Sequence, residues 1–305
     1  MRFKLKHLPS YICKVPSKLR LCYTILVEPY FKSIPPGHFY SALPDMTEVS
    51  RRSGTIFGQL PVRLPGLNLN ESRQRELLET FKNYYSFLPF ERSENPESRF
   101  YRPNGSFPFQ DAFSLYAMIR QMKPKRIIEV GCGASSCVIL DTCEALKIDS
   151  QITFIEPYPE LLLKLIRTED RSRHQIKGEF IQDVSLDTFT SLEPNDILFI
   201  DTSHVSKVGS DVNFIFFEIL PILNKGVIVH FHDVFYPFEY PKNWIFDGMF
   251  WNEAYLLRAF LMFNRDFEIL MFNSYLNYAF PNDIKTYFPL SMEDPGGSLW
   301  LRRTA

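Results

Sequence analysis

The chain has 305 residues, of which 45% are hydrophobic and 23% are charged, and its formal net charge is −1. This length and composition indicate a globular protein with a substantial core, built as one large domain or as one domain with an appendage. The near-zero charge argues against a nucleic-acid partner, and no stretch reaches the roughly 20 apolar residues of a transmembrane segment.

The N-terminal segment is basic and rich in proline. Residues 1–27 contain six Lys or Arg residues and no acid. Their best apolar run, residues 21–27, contains Tyr23 and Thr24 and does not resemble a signal peptide. The odd count of five cysteines, without a CxxC pair, favours reduced thiols in the cytoplasm. We expect an irregular arm and cap over residues 1–100, either solvated or docked, or touching anionic lipid or a partner.

From residue 70 onward the pattern becomes regular. Residues 71–87 and 111–122 have apolar side chains at helical spacing. Apolar strand-like runs then alternate with amphipathic helices, which predicts a parallel sheet covered on both faces. The predicted strands are residues 126–130, 152–155, 179–181, 197–200, 227–230, 267–272 and 298–301. The predicted helices between them are residues 135–146, 160–167, 186–191, 211–219 and 252–263.

These elements predict an α/β fold over residues 101–305. The sheet is expected to be Rossmann-like, doubly wound, mostly parallel and seven-stranded, with an irregular or helical N-terminal cap. Ligands of such sheets bind outside the carboxyl ends of the strands. We therefore look for chemistry directly after each predicted strand.

The first predicted strand ends in a glycine turn, Glu129-Val130-Gly131-Cys132-Gly133. Gly131 and Gly133 allow the backbone to approach a ligand closely, and Glu129 needs a partner because it lies in an apolar strand. A dinucleotide site would have glycine at position 136, where this chain has Ser136. The turn therefore predicts a cofactor other than NAD.

Acidic residues follow the next predicted strands. Glu156 stands at the ribose-binding position, where a carboxylate accepts hydrogen bonds from both hydroxyls; the alternative is a first-turn acid of the next helix. Asp183 follows the third predicted strand and is a candidate for the adenine amino group, the alternative being a solvated loop acid. Asp201 follows the fourth.

In order and spacing, the glycine turn, Glu156, Asp183 and Asp201 resemble the motifs of class I S-adenosylmethionine (SAM)-dependent methyltransferases. Segments 201–211 and 230–237 look like a narrower bacterial group, of the Methyltransferase 24 type, related to natural-product and sugar O-methyltransferases. The resemblance implies SAM as cofactor and a small metabolite or sugar as acceptor. It implies that the cofactor is bound by Glu129, Gly131, Cys132, Gly133, Glu156, Asp183 and Asp201.

Four side chains after the fourth and fifth predicted strands are expected to face the methyl group: Asp201, His204, His232 and Asp233. In one hypothesis His232 or His204 is a general base for an acceptor hydroxyl. In another, Asp201, His232 and Asp233 hold a divalent metal ion that orients two substrate oxygens. Sugar O-methyltransferases and cephalosporin-hydroxylase-like proteins resemble this layout but have an acid where His232 stands, which weakens a magnesium site or points to a softer metal. A structural role is the third hypothesis.

An aromatic segment, residues 235–255, follows the fifth predicted strand. It is a candidate lid over the acceptor through Tyr236, Trp244, Trp251 and Tyr255, and packing against the arm is the alternative. Glu253 is interpreted as a first-turn acid of the next helix.

Several properties stay open from the sequence. An N- or C-methyltransferase would share every cofactor motif, and a metal-dependent hydroxylase-like or a non-catalytic SAM-binding protein would share the fold. Whether the chain forms a homo-oligomer is also open.

Overall fold

The computed structural model describes residue 34 and residues 36–90, 98–101 and 105–305. The basic N-terminal segment, with Cys13 and Cys22, lies outside these residues, whereas Cys132, Cys137 and Cys143 are free thiols. The chain divides into two compact units. One comprises the described residues up to Gln59 together with Phe246–Phe250, and the other comprises Leu60–Ile245 and Trp251–Ala305. The predicted division near residue 100 stays a prediction.

The larger unit is built on a seven-stranded sheet with the order β3-β2-β1-β4-β5-β7-β6. Neighbouring strands are parallel except at β7, which runs antiparallel to both β5 and β6. The strands are β1 Arg126–Val130, β2 Gln151–Ile155, β3 Gln175–Lys177, β4 Ile197–Ile200, β5 Ile228–Phe231, β6 Phe267–Phe272 and β7 Leu299–Arg303. The predicted fold class is confirmed. The strand order reverses between β1 and β4, which is where ligands of such sheets bind.

The described residues also form helices. In chain order they are α1 Met46–Arg51, α2 Ser53–Ile56, α3 Glu71–Phe81, α4 Phe109–Met122, α5 Ala134–Leu146, α6 Glu160–Leu165, α7 Thr168–Arg173, α8 Asp187–Thr190, α9 Asp211–Phe214, α10 Lys242–Phe246, α11 Glu253–Leu261, α12 Asn273–Ala279, α13 Pro281–Tyr287 and α14 Pro289–Glu293. No described helix is long and apolar enough to cross a membrane.

The third predicted strand was wrong. β3 lies at Gln175–Lys177 and pairs with β2, whereas Ile181–Asp183 is a single 3₁₀ turn. β3 lies at one edge of the sheet and has only one apolar residue, Ile176, so no apolar run marks it. The predicted third strand rests on the apolar pair Phe180-Ile181. This pair belongs instead to the turn that follows β3.

Two predicted helices end earlier than expected. α3 stops at Phe81, where the Asn83 amide donates to the Glu79 carbonyl, and a separate 3₁₀ turn follows at Tyr85–Phe87. The predicted helix at 211–219 is α-helical only to Phe214 and continues as a π-helix, Ile215–Ile219, and a 3₁₀ turn, Leu220–Ile222. Pro221 in that turn has no N–H to donate to a helical hydrogen bond, so a regular α-helix does not continue through it.

Candidate active site

The glycine turn follows β1 and contacts the ends of β2 and β4. Gly131 has φ +80°, and a Cβ at this position would lie 1.7 Å from the carbonyl oxygen of Asp201, directly after β4. Its N–H donates to the carbonyl of Ile155 in β2 at 3.0 Å. Only glycine fits here. A Cβ at Gly133 would meet only Leu161, at 3.9 Å, so the protein itself leaves room at that position.

Glu129 lies fully buried beneath this turn. The hydroxyls of Ser135 and Ser136 each donate to its carboxyl at 2.6 Å, and the N–H of Gly133 donates to Ser136 Oγ at 3.1 Å. Burial raises the pKa of Glu129 to about 8 in spite of the two hydroxyl donors. The serine that stands where a dinucleotide site would have glycine is therefore a partner of the buried acid.

Two adjacent hollows open at the strand ends. The larger has a volume of about 410 Å³ and is formed by residues after β1, β2 and β4 and by the turns that follow β3 and precede α9. The smaller, of about 230 Å³, lies over the glycine turn and the first turn of α5. Gly131, Glu156 and Asp201 line both hollows, so the two are neighbours.

Glu156 is fixed at the shared wall. One carboxyl oxygen accepts from the N–H of Cys132 at 3.3 Å and the other from the N–H of Tyr158 at 2.9 Å. Burial and the neighbouring acids raise the pKa of the Cys132 thiol, which favours its protonated form.

The structure brings Gln182, and not Asp183, to the larger hollow. Asp183 is exposed in its 3₁₀ turn, while Ile181 and Gln182 line the hollow. The side-chain amide of Gln182 donates to the Gly209 carbonyl at 2.8 Å. The sequence did not indicate Gln182, because the predicted third strand lies four residues beyond the observed β3. The adenine role of Asp183 stays a prediction.

The four side chains expected to face the methyl group lie together, because β4 and β5 are neighbours. His204 Nε2 is 3.3 Å from Asp201 Oδ1 and 3.6 Å from Asp233 Oδ2. His232 Nδ1 is 3.4 Å from Asp201 Oδ2 and 3.6 Å from Asp233 Oδ2. We call these four residues the imidazole–carboxylate cluster.

In each imidazole of the cluster, the ring nitrogen that does not face Asp201 and Asp233 contacts a buried acid. Glu253 Oε2 is 2.8 Å from His204 Nδ1, and Asp111 Oδ2 is 3.1 Å from His232 Nε2. Sequence reasoning missed both partners. The signal for Asp111 was an acid within the apolar helix α4, and Glu253 had been interpreted only as a first-turn acid.

The neighbouring carboxylates favour the cationic form of both histidines. Burial opposes this, but hydrogen bonds with Asp201 and Glu253 outweigh burial and raise the pKa of His204 to about 10. Burial likewise opposes the charge of His232, but Asp201 and Asp233 raise its pKa well above its ordinary value. Desolvation opposes ionisation of Asp201, but His232 and His204 hold the pKa of its carboxyl far below its usual range.

The backbone at the cluster is in an uncommon conformation. His204 has φ +58° and Asp233 has φ +56°, both in the left-handed region that favours glycine. Such residues cluster at functional sites, where the surrounding structure maintains the strain. One ligand atom each from Asp201, His204 and Asp233 lie within 4.8 Å of one another. This set contains His204 where the sequence had suggested His232.

The predicted lid divides into two parts. The Trp251 ring lies 4.5 Å from the ring of His204, and Trp244 packs edge-on against Trp251 at 5.4 Å. Tyr236 and Tyr255 instead hydrogen-bond to a backbone carbonyl and to a glutamate, and do not contact the cluster. The movement of a lid stays a prediction.

Comparison with known sequences decides the family. A family model described as a methyltransferase domain matches residues 128–234, which contain the glycine turn and the whole imidazole–carboxylate cluster. An uncharacterized protein from Archaeoglobus fulgidus is 36% identical over 172 residues, which are 54% of this chain and 76% of that protein. The chain belongs to the class I SAM-dependent methyltransferases. SAM is therefore the cofactor of this methyltransferase.

Solved methyltransferase structures resemble the chain more distantly. The O-methyltransferase TomG from Streptomyces achromogenes, involved in tomaymycin synthesis and solved with SAM, is 16% identical with a TM-score of 0.46. The match covers 76% of this chain and 99% of that one. A methyltransferase of Podospora anserina with bound S-adenosylhomocysteine (SAH) is 16% identical with a TM-score of 0.43, covering 90% and 99% of the two chains. The family assignment of this methyltransferase rests on the sequence matches.

Proposed function

We propose that this methyltransferase transfers the methyl group of SAM to an oxygen of a small biosynthetic metabolite or sugar in the cytoplasm. One observation carries the proposal. Asp201 lines both hollows at the glycine turn and also contacts both imidazoles of the cluster. The cofactor cleft and the cluster therefore share a wall.

The proposed cofactor position follows from the strand ends. The methionine end of SAM lies over Gly131 and Gly133 in the smaller hollow, where no side chain intervenes. Glu156 accepts hydrogen bonds from the ribose hydroxyls. Adenine lies in the larger hollow beside the exposed rings of Tyr158 and Phe180, which are 6.0 Å apart.

In the proposed reaction the acceptor oxygen attacks the methyl carbon in line with the departing sulfur. A C–O bond forms, the S–CH₃ bond breaks, SAH leaves, and the hydroxyl proton is lost. Holding the two reactants in line supplies much of the rate. In the general-base form, His204 or His232 accepts that proton, and this requires the imidazole to be neutral before the attack.

A cation-assisted form has its own support. The ligand atoms of Asp201, His204 and Asp233 lie close enough together to hold one divalent ion. Such an ion would supply Lewis-acid stabilisation of the acceptor oxygen as it loses its proton. In this form the residues would orient the acceptor, and His204 would bind the ion as a neutral imidazole, so ion binding must displace its proton.

The proposal is tested by incubating the purified chain with SAM and panels of sugars, phenols and amines, and by measuring SAH formation and the methylated product. We expect an O-methylated product. We expect His204→Ala and His232→Ala each to lower turnover by about 100-fold or more, while calorimetry shows unchanged SAH affinity. A product methylated only on nitrogen or carbon, or full turnover in both variants, would refute the proposal.

A further inference from the structure

We propose that Asp201, His204 and Asp233 bind a divalent transition-metal ion in preference to magnesium, with Asp111 and Glu253 as positioning residues. This inference rests on the cation-assisted form of the proposed function. It adds the class of metal and the two buried acids that orient the imidazoles.

Three ligand atoms converge from two neighbouring strand ends. Asp201 and His204 follow β4, and Asp233 follows β5. The two carboxyl oxygens are 3.3 Å and 3.6 Å from His204 Nε2. Two atoms bound about 2.1 Å from a tetrahedral ion lie about 3.4 Å apart. The two separations from His204 Nε2 are therefore compatible with ligands of one shared ion, and the three ligand atoms lie within 4.8 Å of one another.

His232 provides an independent observation. Its side chain is only 4% exposed, and its Nδ1 has no hydrogen-bond partner. This nitrogen faces Asp201 and Asp233, at 3.4 Å and 3.6 Å. Buried polar atoms are nearly always satisfied, so an unpartnered one favours a ligand at the point it faces.

The acids behind the imidazoles fix the nitrogens that face the cluster. Glu253 is 1% exposed and pairs with Nδ1 of His204, which leaves Nε2 directed at Asp201 and Asp233. Asp111 is fully buried and pairs with Nε2 of His232. A metal-bound histidine almost always gives its other nitrogen to a carboxylate or carbonyl, which fixes tautomer and ring orientation.

Asp111 is itself rigidly held. Its carboxyl accepts from the N–H groups of Gly297 and Ser298, each at 2.9 Å, and from the amide of Asn273 at 2.8 Å. A Cβ at Gly296 would lie 2.1 Å from Asp111 Oδ1, so the chain before β7 is shaped around this acid. These contacts make Asp111 a fixed support for His232.

The donor set determines the class of metal. Magnesium prefers oxygen ligands in octahedral geometry, whereas imidazole suits zinc, iron, nickel and copper. His204 brings a nitrogen ligand into the set, and His232 directs a second nitrogen at the same carboxylates. Three protein ligands also leave positions open for acceptor oxygens. The arrangement therefore favours a transition-metal ion.

The test uses the full chain without an affinity tag, freed of metal by a chelator that is then removed. Calorimetry and visible absorption follow titration with Co²⁺, and calorimetry follows titration with Mg²⁺, both without SAM. We expect one Co²⁺ per chain, bound about 100-fold or more tightly than Mg²⁺, with visible absorption bands from nitrogen coordination. Equal affinities for the two ions, or no Co²⁺ binding, would overturn the inference.

Variants identify the ligands. His204→Ala and Asp201→Asn should each weaken Co²⁺ binding by about 100-fold, and Asp111→Asn and Glu253→Gln by about 10- to 100-fold. His174 directly follows α7 and is partly buried. His174→Ala is the matched control and should leave the Co²⁺ affinity unchanged. Thermal melting identifies any variant that fails to fold. In that case the Co²⁺ affinity of the conservative Asn and Gln variants tests the assignment. Unchanged Co²⁺ affinity in these folded variants would overturn the assignment.

SAH titration of the same samples separates the two proposals. Lost Co²⁺ binding with retained SAH binding would overturn the metal inference alone. Retained Co²⁺ binding without SAH binding would overturn the proposed methyl transfer instead.

Discussion

Gly131 and Gly133 occur in the same turn for different reasons. A Cβ at Gly131 would collide with the Asp201 carbonyl, whereas a Cβ at Gly133 meets only Leu161 at 3.9 Å. We expect Gly131→Ala to lower the free energy of unfolding by about 2–5 kcal/mol, because it adds a clash and a strained φ. Gly133→Ala should leave stability nearly unchanged and weaken SAH binding. Urea denaturation and calorimetry measure both, and equal losses of stability would contradict this account.

Glu129 gives the fold a pH dependence. Its pKa is raised from 4.5 to about 8 in the folded chain, so the folded state holds its proton more tightly than the unfolded state. The stability from this group is therefore fully present below pH 4.5 and is lost as the pH rises to about 8. Glu129→Gln should remove this loss, so its stability relative to the wild type should rise across that window. Denaturation at several pH values checks this, and a pH-independent difference would refute it.

The sequence predicted all four residues of the cluster, but not the two acids that pair with its imidazoles. Asp201, His204, His232 and Asp233 were recognised because they directly follow predicted strands. Asp111 and Glu253 were not, because they belong to α4 and α11, and no local pattern shows that a helix acid reaches a strand-end histidine. Contacts of this kind depend on tertiary packing.

At the scale of elements, a buried charge network ties the segment at residues 98–101 to two helices. Arg99 pairs with Asp141 of α5 and with Asp170 of α7, both at 2.7 Å, and the three side chains are at most 8% exposed. We expect Arg99→Met to destabilise the fold by about 3–5 kcal/mol, because two buried carboxylates lose their partner. The control Arg51→Ala removes an exposed pair with Glu48 and should destabilise the fold far less, because an exposed ion pair is solvated and screened.

Urea denaturation compares the two arginine variants. If Arg99→Met costs no more than the exposed control, the network does not anchor the segment. The exposed pair gives the scale of a solvated ion pair in the same protein, so the difference isolates the effect of burial.

The central strands were predictable, and so was β6 at one edge of the sheet, but β3 at the other edge was not. β1, β2, β4 and β5 are within one residue of the predicted ranges, since parallel strands buried on both faces read as apolar runs. β3 has one apolar residue in three and lies at the sheet edge. The helices α12–α14 between β6 and β7 were also missed, because each is only five to seven residues long.

At the scale of the whole molecule, the functional prediction depended on which strand ends lie next to one another in the sheet. The sheet order places the ends of β1, β2 and β4 side by side, so residues far apart in sequence meet at one cleft. That order follows from the family resemblance and not from spacing. The arrangement of the aromatic side chains around Trp251, in contrast, depends on loops that sequence patterns do not fix.

The central claim is that SAM binds at the glycine turn with its ribose on Glu156, and isothermal titration with SAH tests it most directly. We predict one SAH per chain, with about 10- to 100-fold weaker binding for Glu156→Gln, because a hydrogen bond to a charged group is lost. Asp149→Asn, which changes an exposed acid paired with Arg173, should bind SAH like the wild type. Absence of SAH binding to the wild-type chain at millimolar ligand, or equal affinity in Glu156→Gln, would contradict the account.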